Sequence, residues 1–371
     1  MNRKINLDAL RCLAIIGVIT LHFVGGVETL ELTVGNRLVV NVLLAITYTS
    51  VNLFGLISGY LKIDTQNHSS SILKILILTA FWCAVITVVC IVSQNVGGTG
   101  ITLIYVFPFL GDRLWYITCY FFVFLCAPFL NVLAGRLNQL AYKKMLNILT
   151  IMMSVISTVC FKDFFHVVNN GYSVGWLIYM YLLGGYYKKH GFAQKANKKK
   201  ALLLLLVGVT VIVVSKYILE FILNERGFST DKSWILYYYS SPLTLMNSIM
   251  LFYIFVSGNW KDNFFGKILK WFSTASLGVY IIHAHPYSLD HVLIGENLKW
   301  VVRDNPILTL IIILFSIIGL LFGLSIIEWI RMMLFKLCRI DKFIKRIGDK
   351  IDNVMTIVPD LEQKQSENTI K

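Results

Sequence analysis

Ten apolar runs, each close to the length a helix needs to cross a bilayer, recur along this chain between charged or turn-rich breaks. They cover approximately residues 5–26, 38–61, 72–94, 114–134, 143–161, 172–188, 200–222, 234–257, 270–287 and 306–333. A spanning helix takes about 20 predominantly apolar residues, and in lipid every backbone polar group must be satisfied within the segment, so the runs are expected to be helical. With 57% hydrophobic residues, 15% charged residues and a mean hydropathy of +0.69, a water-soluble globular domain is excluded. The expected fold class is all-α, a polytopic membrane helix bundle with about ten transmembrane helices. Arg3 and Lys4 before the first run look like the start of a signal peptide. The run's length, its ionisable residues and the lack of a small-residue cleavage site near Gly25 and Gly26 instead make it a retained span.

A net charge of +14 suits nucleic acid in principle, but its placement points elsewhere. On the ten-span topology, 25 of the 34 basic residues fall in segments on the side of the N-terminus and eight on the other, with Arg11 inside the first span. Such a bias is the positive-inside pattern and places both termini in the cytoplasm of a multi-pass cell-membrane protein. The excess of Lys and Arg faces anionic lipid, and no nucleic-acid partner is expected. None of the seven cysteines forms a CxxC pair, so neither a metal site nor a disulfide framework is indicated. Residues 1–335 read as one transmembrane domain and residues 336–371 as a cytoplasmic appendage. In the latter, Leu337, Ile340, Phe343, Ile344, Ile347, Ile351 and Val354 recur at helical spacing among Lys336, Lys342, Lys345, Arg346 and Lys350. That pattern predicts a basic amphipathic helix on the inner leaflet, with a polar, disordered end from about Pro359.

Function must reside in the bundle, and ionisable residues inside a span are its best pointers. The first run holds Asp8, Arg11 and His22. From Arg11 to His22 a helix turns roughly 1100° and rises about 16 Å, so the two share a face three turns apart. Asp8 and Arg11 are an i,i+3 pair, close enough for the carboxylate to neutralise the guanidinium in part.

Four strings then point to one family. Leu7-Asp8-Ala9-Leu10-Arg11, with His22 after ten intervening residues, resembles the Arg-x10-His motif of the membrane-bound acyltransferase family 3. Leu56-Ile57-Ser58-Gly59-Tyr60-Leu61 is similar to the family's small-residue motif closing the second span. Leu114-Trp115-Tyr116, followed by Pro128-Phe129-Leu130-Asn131, resembles its Trp-aromatic span, and Ser276-Leu277-Gly278-Val279-Tyr280-Ile281-Ile282-His283 its late Ser-Leu-Gly-x-Tyr-x-x-His element. The resemblance runs from residue 5 to about 333. It implies an acyltransferase for groups other than aminoacyl groups: an O-acetyltransferase moving acetyl from cytoplasmic acetyl-CoA to a sugar hydroxyl of a cell-surface or exopolysaccharide. There are two departures. Where some members carry Arg-x-x-Arg at the start of the third span, this chain has Ser70-Ser71-Ile72-Leu73-Lys74, and it lacks the soluble esterase-like domain that many members attach at the C-terminus.

Depth on the expected topology orders these residues. Arg11 and Ser58 to Tyr60 fall near the cytoplasmic face, whereas His22, His283 and Trp115, beside Arg113, fall towards the outside. Arg11, Ser58, Gly59 and Tyr60 are the candidate donor-binding residues, with Arg11 suited to phosphate. Asp8, Arg11 and His22 are the candidate catalytic set, His22 acting as general base or as a transient acyl carrier. Trp115, Tyr116, Ser276, Tyr280 and His283 are the candidate acceptor-side residues, the first two for stacking on a sugar, Ser276 or Tyr280 for an oxyanion. Each has a plainer reading: Asp8 as an escort for Arg11, Ser58-Gly59 as close helix packing, Trp115 and Tyr116 as interfacial aromatics, and Ser276, Tyr280 and His283 as a satisfied polar seam. Expected partners are membrane lipids, the carbohydrate acceptor, and either a polysaccharide-assembly protein or a second copy of the chain. The rival class is a secondary transporter or flippase for a polysaccharide precursor or small solute. Against it, this chain lacks the paired, Pro- or Gly-broken helices in two matching halves that transporters built from inverted repeats tend to show.

Overall fold

The computed structural model describes residues 5–65, 69–92, 114–160, 167–192, 197–258, 260–261, 263–293 and 295–354. The expected polar end beyond Pro359 lies outside the described residues, as does Arg113. Among the described residues all regular structure is helical. In chain order the principal helices are α1 (Ile5–Glu28), α2 (Val34–Thr47), α3 (Thr49–Lys62), α4 (Ser69–Val92), α5 (Trp115–Arg136) and α6 (Gln139–Thr150). There follow α7 (Val174–His190), α8 (Lys198–Glu225), α9 (Pro242–Val256), α10 (Phe264–Ala284), α11 (Pro306–Leu337) and α12 (Ile340–Val354).

Among the described residues, seven helical units are long and apolar enough to cross a membrane: α1, α2 with α3, α4, α5, α6 with its extension to Val159, α8 and α11. They fall on the first five, the seventh and the tenth of the apolar runs. The sixth, eighth and ninth fall on α7, α9 and α10, which have 17, 15 and 21 residues. The eighth run is shortened for a local reason. Pro242 cannot donate within a helix, and Ser241 caps the new start by accepting from the Thr244 amide at 3.1 Å. The polar seam of α10 dilutes its apolar character. Two spans are irregular: α2 gives way to α3 at Tyr48, and α6 passes through a π-helical turn at Ile151–Ile156 on its way to Val159.

α1 is the interior column. It packs against α2, α3, α9, α10 and α11, and Leu10, Ile15, Ile19 and Val24 along it are wholly buried. α8 and α11 form the rim, presenting Leu203, Leu206, Phe221, Phe315 and Ile318 outward as a surface suited to lipid. Two asparagines inside are engaged both as donors and as acceptors, as a low dielectric favours. Asn52 donates to the Tyr239 carbonyl and to Ser248 Oγ while accepting from Trp176 Nε1 at 2.8 Å. Asn131 donates to the carbonyls of Lys62 and Thr65, closing the end of α3, and accepts from Tyr181 at 2.8 Å. α12 lies on the start of α4, where the Ser69 amide donates to Asp352 at 3.2 Å. Ile344 is buried there, and Lys342, Lys345, Arg346 and Lys350 are exposed.

α3 and α7 approach one another closely. Gly55 and Gly59 on α3 face Met180 and Tyr181 of α7, and Gly184 and Gly185 on α7 face Leu56 and Ile63, small residues that let two backbones approach without a hydrophobic drive. A Cβ on Gly59 would strike the Tyr181 carbonyl, and one on Gly184 the Leu56 carbonyl. Gly59→Ala should therefore destabilise the detergent-solubilised protein by about 1–3 kcal/mol. Gly319→Ala, whose Cβ would meet nothing within 4 Å, should leave the melting temperature unchanged; equal melting of the two variants would contradict this packing.

Candidate active site

A cavity of about 620 Å³ opens between α1, α3, α4, α5, α7, α10 and α11, within the size range of sites for small-molecule substrates. Its mouth is cationic. Lys74 at the start of α4 is exposed, Lys188 near the end of α7 is half-buried over the Tyr60 ring at 5.5 Å, and Arg11 and Arg331 stand further in. The two guanidiniums are stabilised by carboxylates one helical turn earlier, which is what lets them stand so deep. Arg11 pairs with Asp8 at 3.8 Å, and the buried Asp8 also accepts from Ser273 Oγ of α10 at 2.7 Å. Arg331 donates through Nε to Glu328 at 3.2 Å and through Nη2 to the other carboxylate oxygen, a bidentate pair. Glu328 also accepts from Trp82 Nε1 of α4 at 2.8 Å, and Gly278 leaves room for its carboxylate against α10, since a Cβ there would strike it.

Both carboxylates thus lean on α10, Asp8 through Ser273 and Glu328 through Gly278. Glu328 and Arg331 are buried to within 5% of full burial, whereas the Arg11 side chain keeps 31% of its surface exposed. Arg11 is therefore the guanidinium better placed to change partners. Four cationic side chains thus line one cavity, two of them held by fixed carboxylates.

The inner end of the cavity is aromatic. Tyr116 stacks on Tyr120 at 5.4 Å and meets Tyr280 edge-on at 5.4 Å. Ser58 donates to the Phe54 carbonyl, so its contact with Tyr120 at 2.9 Å is a hydrogen bond donated by the tyrosine. Val18 and Tyr280 line the far wall. His22 is four residues past Val18 on α1 and His283 three past Tyr280 on α10, so both lie about one turn beyond it. There the two imidazole centroids are 5.1 Å apart, and Tyr280 touches His283 edge-on.

Of the residues named from the sequence, Asp8, Arg11, Ser58, Tyr60, Tyr116, Ser276 and Tyr280 line this cavity. His22 and His283 form the pair just beyond it. Gly59 faces α7 instead. Trp115 does not line the cavity but packs edge-on against Tyr116 at 5.8 Å, in a cluster with Tyr172 at 4.7 Å and Tyr239 at 5.9 Å. Glu328, Arg331, Trp82, Ser273, Tyr120 and Lys188 were not singled out by sequence reasoning. For one of these groups a signal existed: Glu328-Trp329-Ile330-Arg331 repeats the acid-x-x-Arg spacing of Asp8-Ala9-Leu10-Arg11.

A family model described as an acyltransferase domain matches residues 4–328. The chain belongs to the membrane-bound acyltransferase family 3, and the bundle is that of a multi-pass membrane acyltransferase. No curated protein and no solved structure matches the chain. The match ends at Glu328, so Arg331 lies just past it.

Removing one member of a buried ion pair strands the other charge, whereas removing both does not. Glu328→Ala should destabilise the protein by about 3 kcal/mol or more, and Glu328→Ala with Arg331→Met should recover much of that loss. Thermal unfolding of the single and double variants reads this coupling; additive losses would contradict it.

Proposed function

We propose that this acyltransferase is an O-acetyltransferase of the cell membrane that takes acetyl from acetyl-CoA and places it on a hydroxyl of a cell-surface or exopolysaccharide sugar. The observation that carries this reading is the cavity that runs from a four-cation mouth to a wall one turn short of two imidazoles. The phosphates of acetyl-CoA suit Arg11, Lys74, Lys188 and Arg331. The pantetheine arm is slender and extended, as a passage lined by Val18, Phe54 and Leu277 requires. Acetyl-CoA is made in the cytoplasm, so the cationic mouth faces inward. That agrees with the charge bias of the sequence, with ten passes and with both termini inside.

In the transfer, the acceptor oxygen forms a bond to the acetyl carbonyl carbon as the carbon–sulfur bond breaks. His22 removes the acceptor hydroxyl proton, which then returns to the departing thiolate of CoA. A thiolate leaves more readily than an alkoxide, so no further energy source is needed. Tyr280, at the end of the cavity, offers a hydroxyl for a developing oxyanion, and Trp115 with Tyr172 and Tyr239 offers an aromatic platform for a sugar ring.

Purified protein in nanodiscs, given acetyl-CoA labelled in the acetyl group, should release CoA with transfer or hydrolysis of the label. A transporter would leave acetyl-CoA intact, and that result would overturn the proposal. His22→Ala should abolish turnover with the fold retained. Arg11→Lys should raise KM for acetyl-CoA by about tenfold, because the bidentate hydrogen bonding to phosphate is lost while the charge remains. Unchanged kinetics in either variant would count against its assigned role.

A further inference from the structure

His22 and His283 each present one buried nitrogen that nothing among the described residues satisfies: Nδ1 of His22 and Nε2 of His283. Buried polar atoms in native structures are mostly paired, and one that is not asks for an explanation. His283 shows which partner is wanted. Its Nδ1 lies 2.7 Å from the Val279 carbonyl of the preceding turn. A carbonyl only accepts, so in the neutral ring Nδ1 carries the proton and Nε2 is a bare lone pair. His283 is buried to 4% and anchored at both ends of this arrangement, by Val279 on its own helix and by the Tyr280 ring at 5.9 Å. Its free acceptor is therefore fixed in direction. The His22 ring is centred 5.1 Å away and tilted by 49°.

We infer that His283 is the positioning residue for His22: in the reacting complex, though not in the structure as it stands, its Nε2 accepts the Nδ1–H of His22 and so leaves His22 Nε2 as the base that meets the acceptor hydroxyl. The chain of groups is Val279 carbonyl, His283, His22, acceptor, with every proton assigned. Nδ1–H of His283 donates to the carbonyl, Nδ1–H of His22 donates to Nε2 of His283, and the acceptor O–H donates to Nε2 of His22. When the hydroxyl proton moves to His22, the resulting imidazolium is stabilised by the neutral His283 acceptor, and His283 neither gains nor loses a proton. The logic is that of any base whose tautomer is held by a third group. Such contacts are commonly long before substrate is engaged and tighten in the reacting complex.

This inference rests on the reading of His22 as the base, and its test separates the two. CoA release from acetyl-CoA by full-length protein in nanodiscs is measured for the wild type, His283→Phe and His283→Gln, with the KM for acetyl-CoA. A wild type that does not turn over acetyl-CoA would sink the proposed function itself. Given wild-type turnover, His283→Phe should lower kcat by about tenfold or more with KM within about twofold, since the donor-binding mouth is untouched. His283→Gln should recover part of the loss, because its amide oxygen can accept from His22 Nδ1–H. A phenylalanine variant with wild-type kcat, or a glutamine variant no better than phenylalanine, would overturn the assignment. A second readout needs no folded variant at His283. With 15N-histidine, the wild-type His22 resonances, identified by their loss in His22→Gln, should report protonation at Nδ1; protonation at Nε2 in the neutral ring would overturn it equally.

Discussion

An arginine inside a lipid-embedded bundle is tolerable only where a carboxylate and further hydrogen bonds surround it, and this protein meets that requirement twice around one helix. Asp8 holds Arg11 and leans on Ser273; Glu328 holds Arg331 and is gripped by Trp82. Both contacts fix α10 between α1 and α11, and Gly278 must be a glycine for the second to form. The same contacts set the rotation of α10 about its axis. Tyr280 and His283, seven and ten residues after Ser273, are thereby turned towards Tyr116 and His22. The ion pairs at one end of the cavity thus fix the geometry at the other.

Layering follows from that arrangement. Cations gather at the mouth, tyrosines and apolar side chains line the middle, and imidazoles stand beyond the end wall. Such a gradient suits a donor that is anionic at one end and reactive at the other. It also suits a chemistry in which a proton must be taken up away from bulk water. The α3–α7 glycine contact serves the same end from another side, since it holds Ser58 and Tyr60 on the cavity wall by closing the two backbones together.

Much of this was legible in the sequence. The ten apolar runs fall on helices, because length and hydropathy govern lipid-embedded segments almost alone. Asp8, Arg11 and His22 stood out since an ionisable residue in the middle of an apolar run has few plain explanations. Glu328 and Arg331 carry the same spacing but lie at the end of the last run, where a basic residue reads as an orientation signal. The third partner, Trp82, is 246 residues away from Glu328 in the chain, and no local pattern announces it. Gly59 was ambiguous between ligand contact and packing, and only the carbonyl of Tyr181 pressed against it distinguishes the two. The histidines were both singled out, yet their pairing is a property of how α1 rests on α10 and is absent from either helix alone. Residues 234–241 read as part of a span by hydropathy, but Pro242 and the Ser241 cap start the helix later.

On the proposed function, one passage carries the acyl donor from the cationic mouth to the histidine pair. The most direct measurement is a cryo-electron microscopy structure of the protein with a stable acetyl-CoA analogue in which a methylene replaces the thioester sulfur. Density for the phosphates should lie among Arg11, Lys74, Lys188 and Arg331, with the acetyl carbonyl beside Tyr280 and nearest to His22. An analogue bound outside this cavity, or with its acetyl end at the cationic mouth, would contradict it.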